Sequence, residues 1–217
     1  MPRRLNLPDS ASVAHPSPDG RLFAPSAQRN VDAIGDLLAE HLPPQGRMLE
    51  IAAGTGEHAV AFAQRFPGTL WLPTDIDDAR LTSITAHREL ASAPNLAEPT
   101  KLDATSPGWG ASVQTDAVLI VNLLHLISEV EAKVLLKEAA TALAPGGLLF
   151  LYGPFLRDGQ TTSEGDASFH ASLATQDPEI GYKDDWDVIE WIHQNWLELV
   201  QVVEMPANNL AFIARKP

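Results

Sequence analysis

Apolar and polar positions follow two periods along this chain, and the switches between them mark out its elements. From Ser26 the residues Ala27, Val31, Ile34, Leu37 and Leu38 recur at helical spacing, and Leu42-Pro43-Pro44 ends the run. The apolar stretch 48–53 reads as a strand. It breaks at Gly54 and Gly56, after which Ala59, Val60, Phe62, Ala63 and Phe66 form the stripe of a second helix, closed by Pro67-Gly68. Next come a strand over 69–74, a helix capped by Asp77 with Leu81 and Ile84 facing inward, and a short strand ending at 101–104. Residues 116–122 are nearly all apolar, as a central strand covered on both faces should be. Ser128-Glu129-Val130-Glu131 has the spacing of a capping box. It opens a helix carrying Val134, Leu135, Ala139 and Leu143, which Pro145-Gly146-Gly147 closes before a strand over 148–152.

Beyond Gly153-Pro154-Phe155, residues 156–182 are polar, weakly periodic and longer than an ordinary strand-to-helix connection, which suits a lid or acceptor-side insertion. Asp184-Asp185 start a last helix with Trp186, Ile189 and Ile192 expected inward. Strands over 197–205 and 210–215 then flank Pro206-Ala207-Asn208-Asn209, close enough to pair as an antiparallel hairpin. Pro2, Pro8, Pro16, Pro18 and Pro25 make residues 1–25 an irregular arm, and no repeat or composition break divides 26–217, which is expected to be a single domain. The pattern predicts an α/β fold: seven strands in a mostly parallel sheet, helices on both faces and a C-terminal antiparallel hairpin strand.

Two glycines one residue apart, between a strand and a helix, let backbone approach a ligand while the helix end presents unpaired N–H groups. Gly54-x-Gly56-x-x-Ala59 satisfies a loose dinucleotide fingerprint. Glu50, four positions before the first glycine, tips the choice of cofactor. A carboxylate sits badly beside a pyrophosphate but well beside the sulfonium and ammonium of S-adenosylmethionine (SAM). SAM, held by Glu50, Gly54 and Gly56, is therefore the expected cofactor. Asp75 lies 19 residues after Gly56, close to the roughly 20-residue separation at which an acid meets a cofactor ribose. Asp103, with Ala104, is placed to accept the adenine amino group, a loop-surface aspartate being the alternative. Asn122 and then His125 follow the central strand at the same edge of the sheet. Arg29 and Asn30 reach toward the methionine end of SAM or lie on a solvated helix face; Tyr152, Asn208 and Asn209 line an acceptor pocket or serve strand-end packing and turn chemistry.

Composition narrows the partners. The net charge is −13, from 15 Lys and Arg against 28 Asp and Glu, which argues against a nucleic-acid backbone and favours a small-molecule acceptor. With no cysteine, disulfides, thiolate catalysis and zinc-thiolate sites are excluded, and no metal site is expected from the acids at 184, 185 and 187, which read as a helix start. No apolar run approaches a membrane span and the amino terminus lacks the apolar core of a signal peptide, so cytoplasmic residence without a membrane partner is the expectation. The tryptophans at 71, 109, 186, 191 and 196 read as core or edge packing. Oligomeric state stays open.

With Glu50 to Gly56, Asp75, Asp103 and the terminal hairpin together, residues 45–217 resemble class I SAM-dependent methyltransferases, with a Rossmann-like fold. More narrowly, Ser26-Ala27-Gln28-Arg29-Asn30, Leu49-Glu50-Ile51-Ala52-Ala53-Gly54-Thr55-Gly56-Glu57-His58-Ala59, Tyr152-Gly153-Pro154-Phe155 and Met205-Pro206-Ala207-Asn208-Asn209 resemble the domain-of-unknown-function family numbered 938. Its animal members are called methyltransferase-like 26. The resemblance implies the fold and SAM binding, and leaves the acceptor undefined. This chain departs from the family pattern in reading Phe169-His170 where the family shows an Asp after Phe, and Arg29-Asn30-Val31-Asp32 where it starts Arg-Asn-Lys-Asp.

The function expected is methyl transfer from SAM to a small molecule by in-line displacement, which asks the protein mainly to hold the two reactants in line. His125 is the candidate general base if the acceptor must lose a proton, the alternative being a packed histidine or one lining the adenosine pocket. Two other functions stay in view: a non-catalytic protein that binds SAM or its product S-adenosylhomocysteine (SAH), and an NAD-dependent oxidoreductase, against which Glu50 and the terminal hairpin speak.

Overall fold

The computed structural model describes residues 13–217. A small hairpin of β1 (His15–Pro16) and β2 (Leu22–Phe23) leads into α1 (Pro25–His41), with Pro25 in the first turn, where a missing N–H leaves no helical bond unmade. Then follow β3 (Gly46–Ile51), α2 (Glu57–Arg65), β4 (Thr69–Asp75), α3 (Asp78–Leu90), β5 (Thr100–Lys101), β6 (Thr115–Val121), α4 (Glu129–Ala142), β7 (Leu143–Pro154), α5 (Glu164–Gln176), α6 (Asp185–Gln194), β8 (Glu198–Met205) and β9 (Asn209–Arg215). Seven strands form one sheet in the order β5-β4-β3-β6-β7-β9-β8. β4 pairs in parallel with β3 and β5, while β9 runs antiparallel to both β7 and β8. The fold is thus the mostly parallel, Rossmann-like seven-stranded sheet with surrounding helices and a C-terminal antiparallel hairpin that the periodicity predicts. Among the described residues no helix is long and apolar enough to cross a membrane.

The chain separates into two compact units, one of Val13–Asp103 with Thr115–Leu119 and the other of Ala104–Gln114 with Ile120–Pro217. In the first, Met48, Phe62, Trp71 and Ile84 are fully buried, and the Phe62 ring lies 5.3 Å from His58 and 5.5 Å from Trp71. The Asn95 amide donates to the carbonyls of Ala63, Phe66 and Thr69, so one side chain ties the end of α2 to the start of β4. Of the arm expected to be irregular, residues 1–12 lie outside the described residues. The remainder is more ordered than its prolines suggest, because long-range bonds pin it. Leu22 N–H donates to Ser83 Oγ (2.8 Å), the Leu22 carbonyl meets His87 Nε2 (2.9 Å), and the Phe23 ring stands edge-on to His87.

In the second unit Phe150, Leu149, Ile213 and Phe212 are buried, and Phe155 packs edge-on against Phe212 at 4.9 Å. The capping box of Ser128 and Glu131 is formed as its spacing predicts. Three expectations shift. β7 begins at Leu143, so Pro145-Gly146-Gly147 lie inside the strand. Gly146 (φ 79°) donates to the Lys216 carbonyl at 2.7 Å, and Lys216 donates back to Gly147. The weakly periodic stretch 156–182 contains α5, whose only buried residue is Leu173, too little to print a helical period. In α6 the inward residues are Val188, Trp191 and Ile192, whereas Trp186 is 64% exposed and Ile189 half-buried. Apolar residues stand on both sides of this helix, so apolarity alone could not choose the buried one.

Candidate functional site

In the first unit the chain leaves β3 through a turn, 52–56, that holds three residues in the left-handed region: Ala52 (φ 53°), Gly54 (φ 61°) and Gly56 (φ 93°). Gly56 is the N-cap of α2, and a Cβ there would lie 2.9 Å from Ile84 Cα, so only glycine lets α2 begin this close to α3. Ala52 was not a candidate in the sequence, since alanine carries no turn signal. Its conformation marks a backbone held by its surroundings. The end of β4 supplies the hold: Gly54 N–H donates to Asp75 Oδ2 (2.9 Å), Asp77 N–H to Asp75 Oδ1 (3.0 Å), and Ala53 N–H to the Thr74 carbonyl (2.8 Å). Asp75 is buried, and burial pushes its carboxyl up against the lowering effect of these N–H donors. Each carboxylate oxygen has a second lone pair with which to accept a further bond.

Glu50 sits differently from what its charge suggested. Its side chain is 2% exposed and accepts from Trp71 Nε1 at 2.5 Å, joining β3 to β4. Burial, aided by the Asp75 charge and opposed by the Trp71 bond, pushes the carboxyl up to about 8, so at neutral pH it is mostly protonated. In the chain by itself its bond joins β3 to β4 beside the turn that follows. Asn30, buried on α1, meets His58 Nε2 at 2.8 Å, and burial draws His58 down to about 4. Arg29 beside it is exposed. Asp103 is half-buried just after β5, whose next residue, Leu102, donates to the Asp75 carbonyl at 2.9 Å.

In the second unit Ala104 is buried and its carbonyl accepts from Trp109 Nε1 (3.1 Å). Asn122, left-handed at φ 55° after β6, donates its N–H to the carbonyl of the buried Tyr152 (2.8 Å). His125 is buried, its ring edge-on to Phe169 (5.7 Å) and Tyr182 (6.1 Å), and its carbonyl accepts from Gly181 N–H (3.0 Å). Burial and then the nearby Lys183 charge push the imidazole down to about 3. Lys183 is itself buried and donates to the carbonyls of Ile127 (2.7 Å) and Gly181 (3.0 Å); burial pulls it down to about 8.

A polar network that the sequence did not single out centres on Asp166 of α5. It accepts from Tyr182 Oη (3.2 Å), Asn208 Nδ2 (3.0 Å), Thr162 Oγ1 (2.8 Å) and Ser163 Oγ (2.7 Å). Against burial, these bonds hold its carboxyl below the usual range. Asn208 therefore reaches the 156–182 segment, whereas Asn209 turns its amide back onto Pro206 and Ala207. The one local signal for Asp166 was the Ser163-x-x-Asp166 spacing of a helix start.

Among solved structures, this fold is similar to an O-methyltransferase family 2 protein from Planctomyces limnophilus in complex with apigenin. The TM-score is 0.73 at 19% identity, covering 88% of this chain and 60% of that one. It is also similar to human N-acetylserotonin methyltransferase in complex with SAM (TM-score 0.71, 15% identity, 88% and 52% covered) and to magnesium protoporphyrin IX methyltransferase from Synechocystis with bound SAH (0.68, 15%, 88% and 83%). The chain spans little more than half the length of the first two. Identities this low speak to the fold alone. The sequence itself matches the family described as "Protein of unknown function (DUF938)" over residues 21–216, nearly the whole described chain, and on that match the chain belongs to the DUF938 family.

Proposed function

We propose that this chain is a SAM-dependent methyltransferase acting on a small-molecule acceptor, with the turn 52–56 and Asp75 as its cofactor cradle. The observation that carries the reading is the bond from Gly54 N–H to the buried Asp75 carboxylate, which fixes a glycine turn and an acid to one another at a helix amino terminus. The residues fit the group. The first-turn N–H groups of α2 suit a carboxylate, and Asp75 keeps acceptor capacity for a ribose diol. Asp103 is the candidate for the adenine amino group. Likeness to methyltransferase folds bound to SAM or SAH supports SAM over a dinucleotide; kinship with the methyltransferase-like 26 proteins belongs to the same reading. When bound, SAM supplies an electrophilic methyl group. The chain's own task is then to orient an acceptor and exclude water. His125, buried and drawn down to about 3, is a weak base near neutrality and serves as a packing residue in this reading. The same observation favours a second reading, a SAH-binding protein without transfer.

Incubating the protein with methyl-labelled SAM and a fractionated small-molecule extract separates the two. The enzyme reading expects label in an organic product with wild type and its loss with Asp75→Ala. SAH binding with no labelled product from any fraction would leave only the binding protein.

A further inference from the structure

The outward side of α6 carries a surface that the cofactor reading does not use. Trp186, Ile189, Glu190, His193 and Gln194 recur along one face of the helix, and with Trp196 they line an open groove of about 730 Å³. Trp196 is the most exposed large apolar residue described, at 86%, and sits at φ 58° just past the C-cap of α6. Leu197 N–H bonds the Ile192 carbonyl (3.3 Å) and Trp196 N–H the His193 carbonyl (3.0 Å), a helix ending whose left-handed residue is ordinarily glycine. An indole here adds backbone strain and little packing, so its physical use lies at the surface.

Charge says what would cover it. Glu190 is in the groove and Asp184, Asp185 and Asp187 stand at the start of the same helix, while the cation beside them, Lys133, is already ion-paired with Glu129. The helix already holds one cation over an indole: Lys133 Nζ stands 5.2 Å from the Trp191 ring. A second copy of this chain would bring like charges together in a two-fold contact, and at a net charge of −13 that is disfavoured. We propose that the outer face of α6 is a docking groove for a basic, partly aliphatic protein segment, with Trp186 and Trp196 stacking on its Lys or Arg side chains and Glu190 supplying the countercharge.

Calorimetric titration of the full chain with a blocked peptide of alternating Lys and Leu, against a Glu and Leu control, tests the proposal. The Lys peptide should bind and the Glu peptide should not. Affinity should fall about tenfold or more in Trp196→Gly and in the pair Trp186→Ala with Glu190→Gln. Trp196→Gly should melt no lower than wild type, so a loss of binding there is not a loss of fold. The shift on adding SAH should be unchanged, which keeps this groove separate from the cofactor reading. Absence of binding, or equal affinity in the variants, overturns the proposal. So does a concentration-dependent dimer that Trp196→Gly abolishes, since a second copy would then be the occupant.

Discussion

Burial of Glu50 against Trp71 makes its proton part of the fold. The folded-state value of about 8 lies above the ordinary 4.5, so between those values the native chain binds more protons than the unfolded one. Stability from this residue is full below about 4.5 and is lost as pH rises toward 8. His58 and His125 act in the opposite sense: drawn down to about 4 and about 3, they weaken the fold as pH falls through 6.5, where the unfolded imidazoles are half protonated. Lys183, drawn down to about 8, also acts against Glu50, so the Glu50 slope is isolated only by comparison with a variant that keeps these groups. Urea unfolding between pH 6.5 and 8 should report a loss on the order of 1–2 kcal/mol for wild type relative to Glu50→Gln. Glu50→Gln, which can still accept from Trp71, keeps the histidine and Lys183 slopes and lacks only that of Glu50. The same slope in wild type and Glu50→Gln would mean that Glu50 is ionised in the folded protein.

At the scale of elements, the junction of β3 and α2 depends on the close approach of Gly56 to α3. Gly56→Ala adds a Cβ 2.9 Å from Ile84 Cα at φ 93°, combining a conformational and a steric cost of roughly 2–4 kcal/mol. A lowered urea midpoint at constant slope would register it, and a change within about 0.5 kcal/mol would mean that α2 and α3 are not packed as described. Elements whose information is local were legible in the sequence. α4 carries its capping box, β6 its continuous apolar run, and the hairpin of β8 and β9 its closely spaced strands. Elements decided by distant partners were not. β1 and β2 are held by Ser83 and His87, more than sixty residues away, and β7 gains its early residues by pairing with Lys216. The site divides the same way. The glycine turn and Asp75 followed from spacing, while the protonated state of Glu50 and the Asp166 network depend on burial and contacts that spacing does not carry.

For the molecule as a whole, the net charge of −13 accords with the small acceptor and the basic partner at α6 proposed above. The likeness to larger O-methyltransferases extends over little more than half of their length, and it speaks to the fold. The methyltransferase reading rests on SAM or SAH occupying the cradle. Thermal unfolding with SAH or NADH, on wild type and on Asp75→Ala, tests that most directly. SAH at about 100 times its dissociation constant should add about 2.7 kcal/mol, roughly 5–10 °C for a chain of this size. That rise is expected in wild type, with its loss in Asp75→Ala measured against the variant's own ligand-free melting, and no rise with NADH. A rise with NADH and none with SAH, or a full SAH shift in Asp75→Ala, would contradict it.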